Sequence, residues 1–307
     1  MYYYQAYGLD IASEFYLPEL IGGGNGKDLT ITKGNLDLPK LKETVIKRQN
    51  LKSWFGGTFN EAYMYWQDLG KFLAKNGTEL IVEPTSDRIP FEFLNLYILS
   101  EALGMILFQK GLFLLHASAI KVGNKAIVIV GSPGAGKSTT AAAFAKRGHP
   151  VLTDDMVAIE VESEQTPQVI PGFPQIKIWL PSVEGLNYDT NTLPVLFPGS
   201  TKRVIRKTEN FPSQSIPLSE IYFLDKGEQL TINPMEEVEA LLSFACYFPC
   251  PYDLLKAKAQ KNHFLQSSHL LDRIPVFKIQ RHDSFEVLHQ WIEAIEQKHN
   301  KHNSFLI

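Results

Sequence analysis

Residues 125–148 read KAIVIVGSPGAGKSTTAAAFAKRG, and the order of their chemistry sets the fold. An apolar run, Ala126 to Val130, predicts a strand; a glycine-rich loop follows, then a run of helix formers from Ala141 to Lys146. Strand, loop and helix in that order form a P-loop. Gly131, Gly134 and Gly136 allow backbone angles and close approach that a β-carbon would block, so successive N–H groups can point at one anion. The helix that starts at the loop adds its positive dipole end. The loop Gly131, Ser132, Pro133, Gly134, Ala135, Gly136, Lys137, Ser138 and Thr139 is therefore the candidate site for a nucleoside triphosphate. Lys137 is placed to reach the β- and γ-phosphates, and the Ser138 hydroxyl to ligate Mg²⁺. A chance GxxxxGKS in a turn lacks the flanking strand and helix seen here.

On the C-terminal side, the strand-like PVLT (150–153) ends in Asp154 and Asp155. A parallel neighbour strand would bring them to the sheet edge that holds the loop. Adjacent residues at a strand end point opposite ways, which suits Asp154 for the metal and Asp155 for an incoming hydroxyl. An Asp pair here also reads as a turn or helix cap. On the N-terminal side, GLFLLHASAI (111–120) places His116 at the end of an apolar strand. It reads either as a core histidine or as a neighbour that hydrogen-bonds the acceptor or tunes the Asp pair.

The grammar around this core is α/β: helix 91–109, strand 112–118, strand 126–130, helix 137–147 and strand 150–153. Residues 1–88 read as a β-rich N-terminal region, with a hairpin expected at Asn76-Gly77. Residues 89–307 read as the catalytic domain. Short strands separated by Pro-rich turns are expected over 165–235, and mainly helix over 236–298, where Phe285, Leu288, Trp291 and Ile292 stand at helical spacing. The 307 residues are 44% hydrophobic, enough for a sizeable core. A net charge of −3 argues against a polyanion such as nucleic acid as the main partner. Two cysteines, Cys246 and Cys250, make neither a disulfide framework nor a zinc site. The N-terminus lacks signal-peptide features, so a cytoplasmic location is expected. The apolar run 90–110 carries Glu92, Asn95, Glu101 and Gln109, which suits a buried core helix rather than a membrane span.

LHASAI, GSPGAGKS and RGHPVLTDDMVAI together resemble the catalytic domain of HPr kinase/phosphorylase. The spacings agree: His116 precedes Lys137 by 21 positions and Asp155 follows Ser138 by 17. The resemblance implies a phosphoenolpyruvate-carboxykinase-like fold with a mixed sheet. It implies Asp155 as the base for a serine hydroxyl, His116 as its companion, Ser138 and Asp154 on the metal side, and ATP with Mg²⁺ as cofactors. AYGLDIASEFYLPEL, GLFLLHASAI and PGFPQIKIWLP are similar to the standalone kinases found beside lasso-peptide biosynthesis, which implies the C-terminal serine of a precursor peptide as acceptor and allows a homo-oligomer. The chain departs from the HPr enzymes where GFPQIKIWL replaces their Glu-Ile-Arg-Gly-type segment, so phosphorylase activity is not carried over. Arg203, Arg206 and Lys177 are the candidates for a charge-stabilising cation.

The leading expectation is an ATP-dependent kinase of a serine on a peptide or protein. A kinase of a small-molecule hydroxyl and a non-catalytic, nucleotide-gated regulatory module are the alternatives. The β-rich region could recognise a peptide by accepting it as an added strand at a sheet edge.

Overall fold

The computed structural model describes residues 1–303. They form two compact units, one comprising residues 1–114 with 248–266, the other Leu115–Tyr247 with the chain from Ser267 onward. The division falls beyond residue 88. The helical run Phe91–Gln109 belongs to the first unit because its apolar residues, from Leu94 to Phe108, are buried there.

In the first unit the described residues form a nine-stranded mixed sheet. Its order is Ile21–Gly22, Tyr2–Ala6, Leu9–Ser13, Leu29–Lys33, Glu79–Pro84, Gly70–Lys75, Glu61–Trp66, Ser53–Gly57, Lys42–Glu43. The alternation of Glu61–Trp66 puts Ala62, Met64 and Trp66 inside and their neighbours outward. Asn76 and Gly77 turn the expected hairpin with φ of 52° and 70°. Both sheet edges end in two-residue strands. Such short edges are poor templates for an incoming strand, so peptide addition there is not supported.

Phe91–Gln109 is long and apolar enough to cross a membrane, yet 83% of it lies buried in the protein. Its polar residues are paired there: Asn95 donates to Tyr16 O at 2.9 Å, and Glu101 accepts from Arg48 Nη2 at 2.9 Å. The helix changes to π geometry over Ile98–Ala102, and Gly111 ends the run at φ 86°.

The second unit is α/β around a mixed sheet, as expected for a P-loop fold. The strand Lys125–Val130 lies between Ala117–Val122, antiparallel to it, and Ile216–Lys226, parallel to it. Residues Ala126 to Val130 are fully buried on both faces, which is why they read as an unbroken apolar run. Ile216–Lys226 forks: its first residues pair with Gln168–Ile170, its later ones with Val276–Arg281. That last strand, parallel to Ile216–Lys226, lies in a stretch read as mainly helical. The helix Lys137–Lys146 buries Ala141, Ala142, Ala143 and Ala145, small residues that permit close approach, together with Phe144, and Leu288, Trp291 and Ile292 of Phe285–Asn303 join the same core. Val151–Thr153 runs parallel to the P-loop strand but one place removed, because Ala117–Val122 lies between them.

Candidate active site

The site is built at the ends of these strands. Gly131 and Gly136 are required by sterics: an added β-carbon would stand 2.7 Å from Leu224 O at Gly131, and 2.7 Å from Arg281 Nη2 at Gly136, where φ is 103°. Within the loop, Lys137 Nζ donates to Gly131 O at 2.7 Å. Burial pushes the Lys137 ammonium down, while Asp155 and Asp154 pull it up. Thr139 turns its hydroxyl to Ser182 Oγ at 2.9 Å, and Thr140 bonds Gly136 O at 2.8 Å.

Asp154 is 2% exposed. Its Oδ1 accepts from Ser138 Oγ at 3.0 Å and from Ser118 Oγ at 2.6 Å, and its Oδ2 accepts the Lys177 N–H at 3.0 Å. Burial and the neighbouring Asp155 carboxylate push the Asp154 carboxyl up. A buried carboxylate and a helix-start hydroxyl that already touch are hard oxygen donors of the kind Mg²⁺ takes beside a polyphosphate, so these residues fit the ion.

Asp155 has φ 79°, a left-handed conformation that Asp tolerates better than most residues. The Thr153 hydroxyl donates to Met156 O at 2.7 Å and closes the turn around the pair. The two carboxylates separate: Asp154 goes to Ser138, whereas Asp155 Oδ2 meets Lys177 Nζ at 2.5 Å. His116 stands where the upstream strand breaks between Phe113–Leu115 and Ala117–Val122. Its Nδ1 lies 2.9 Å from the carbonyl oxygen of Asp155, so it holds the backbone of that residue. Its own N–H donates to Tyr247 O at 2.7 Å, and the Tyr247 hydroxyl lies 3.2 Å from Ser132 Oγ.

Among the three cationic candidates, Lys177 bonds both members of the Asp pair, its N–H on Asp154 and its Nζ on Asp155. Lys177 and Arg206 stand on one face of the short ribbon Gln175–Trp179/Lys202–Arg206, and Arg203 on the other. Sequence reasoning missed Arg281, Tyr247 and Ser118. Arg281 is 4% exposed and its Nε has no partner among the described residues. The apolar run VFKI before it, placed after a helix, was the available signal.

No protein-family model matches the chain. It is 42% identical over 72 residues to the HPr kinase/phosphorylase of Clostridium botulinum (strain Eklund 17B / Type B), covering 24% of this chain and 23% of that one. It is 36% identical over 98 residues to that of Clostridium beijerinckii (strain ATCC 51743 / NCIMB 8052), covering 32% of each. It is 34% identical over 80 residues to that of Limosilactobacillus reuteri (strain DSM 20016), covering 26% and 24%. Over these segments the chain is similar to HPr kinase/phosphorylases. It spans about a quarter to a third of the length of these curated relatives. Among solved structures, the Hpr(Ser) kinase/phosphatase from Coxiella burnetii matches with a TM-score of 0.32 and 12% identity, over 63% of this chain and 98% of that one, a likeness too distant to carry an argument. The site in the second unit consists of a P-loop, an Asp turn and a lysine from the adjoining ribbon.

Proposed function

We propose that the chain is an ATP-dependent kinase that phosphorylates a serine hydroxyl on a peptide or protein. The observation that supports this reading is the turn Thr153–Met156, which sets one carboxylate on the P-loop hydroxyl and holds a second apart from it, on Lys177. A P-loop alone binds nucleotide; a second carboxylate able to take a proton is what transfer adds.

In this reading the loop N–H groups, Lys137 and the start of the helix hold the phosphates of ATP. Ser138 and Asp154 would hold Mg²⁺, which when bound would offset the negative charge of the phosphates. Asp155 accepts the proton of the serine hydroxyl as its oxygen bonds to the γ-phosphorus. The bond from that phosphorus to the β–γ bridging oxygen breaks, and ADP leaves. His116 fixes the Asp155 backbone and Lys177 orients its carboxylate. Arg281, buried behind Gly136, adds positive charge to the phosphate side. The finer reading, a lasso-peptide precursor phosphorylated at its C-terminal serine, is supported by the sequence resemblance. Labelled ATP incubated with serine peptides and precursor peptides tests both: transfer to serine is expected, and nucleotide binding without transfer to any of them counts against the kinase reading.

A further inference from the structure

The ribbon Gln175–Trp179/Lys202–Arg206 brings more than Lys177 to this site. Its register pairs Gln175 with Arg206, Lys177 with Val204 and Trp179 with Lys202, and successive side chains of a strand alternate faces. Ile176, Ile178 and Ile205 enter the core. The opposite face carries Lys177, Trp179, Lys202 and Arg206, and opens onto the Asp155 carboxylate through Lys177. Trp179 is 53% exposed. Lys202 Nζ sits 5.0 Å from the centre of its ring, and among the described residues it meets no carboxylate. Arg206 is exposed at the far end. Lys177 itself is buried against Asp155, so the cations this face shows to solvent are Lys202 and Arg206, beside an exposed tryptophan, in a chain of net charge −3.

Resting on the kinase reading, we propose that this face is the acceptor platform and that the acceptor is a peptide carrying acidic side chains around its serine. Lys202 and Arg206 are four residues apart on one strand, roughly 13 Å at about 3.3 Å per residue. That span exceeds what one carboxylate can bridge and suits two acidic side chains along an extended peptide. Trp179 supplies a flat apolar surface for the peptide between them.

The test uses fluorescein-labelled serine peptides of matched length with acidic, neutral or basic flanks, and the full chain as wild type and as the Lys202→Glu/Arg206→Glu double variant. Binding is read by anisotropy and turnover with Mg-ATP. The wild type is expected to bind acidic peptides roughly tenfold more tightly than neutral ones, with the preference shrinking as salt is raised. In the double variant the preference should turn toward basic peptides, through the KM for peptide rather than kcat. Trp179→Ala should weaken all peptides together. Equal binding of the three peptides by wild type, an unchanged preference in the double variant, an effect confined to the KM for ATP, or stronger competition by a single-stranded oligonucleotide than by unlabelled acidic peptide would overturn the proposal. Acidic preference without phosphoryl transfer upholds the platform and defeats the kinase reading; transfer indifferent to acidity does the reverse.

Discussion

Asp155 is held from two directions, by His116 on its carbonyl and Lys177 on its carboxylate, while its backbone is kept at φ 79°. Strain of this kind persists where surrounding bonds over-determine it. Lys177→Met removes the carboxylate's partner and leaves the turn in place. Phosphoryl transfer should then fall roughly 10- to 100-fold with nucleotide affinity within a few-fold of wild type, measured by steady-state kinetics beside calorimetry. Equal losses in both would assign Lys177 to the phosphates instead. Gly136→Ala separates a second pair of effects. Positive φ alone costs about 1–2 kcal/mol for alanine, and at Gly136 the β-carbon also meets Arg281. Gly148→Ala, at φ 93° with open space around it, isolates the backbone cost. Chemical denaturation should find Gly136→Ala the more destabilised, with weaker Mg-ATP binding that Gly148→Ala does not share.

At the scale of elements, the P-loop helix is tied to the C-terminal helix at its far end. Arg147 reaches Glu296 in a two-bond fork of 2.8 and 2.6 Å, and His149 Nε2 lies 2.8 Å from the same carboxylate. Those hydrogen bonds, Arg147 first, hold the Glu296 carboxyl down at about 2. A depressed carboxyl contributes stability that is present above its unfolded value near 4.5 and is lost as pH falls toward 2. The pair is partly exposed, so no more than about 1 kcal/mol is expected after solvent screening. Urea midpoints between pH 6 and 2.5 should fall more steeply for wild type than for Glu296→Gln; parallel slopes would mean the fork contributes nothing.

These elements also mark what was legible in the sequence. The P-loop was legible because strand, loop and helix are consecutive and each has its own chemistry. Asp154 followed from its place after the next strand, although that strand is not the immediate neighbour of the P-loop strand. Lys177 ranked behind Arg203 and Arg206 as a candidate, because its partner Asp155 lies 22 residues away in the chain and nothing local announces the contact. Arg281 was missed because the apolar run before it is short and lies between two long helices, and although that run signals a strand, nothing local says that it ends beside Gly136.

For the whole molecule, the chain order hides the division into units. Residues 248–266 return to the first unit, a long-range choice made by apolar side chains such as Phe248 and Leu254, and no composition shift announces it. Nucleotide should act on one unit. At a concentration 100 times its Kd, Mg-ATP stabilises the state that binds it by about 2.7 kcal/mol. Hydrogen exchange should slow in residues 131–146 and 151–157 and remain unchanged in the strands between residues 2 and 84. Uniform slowing, or none in the P-loop, would contradict a site built wholly in the second unit.

In the kinase reading, a proton-accepting carboxylate stands beside a phosphate-gripping loop. Transfer of γ-labelled phosphate from Mg-ATP to serine peptides, compared between wild type and Asp155→Asn with nucleotide affinity measured on the same samples, tests it most directly. The account predicts labelled peptide from wild type and a loss of about 10²–10⁴-fold in the variant, with ATP still bound. Transfer by Asp155→Asn at the wild-type rate, or no uptake of Mg-ATP by wild type, would contradict it.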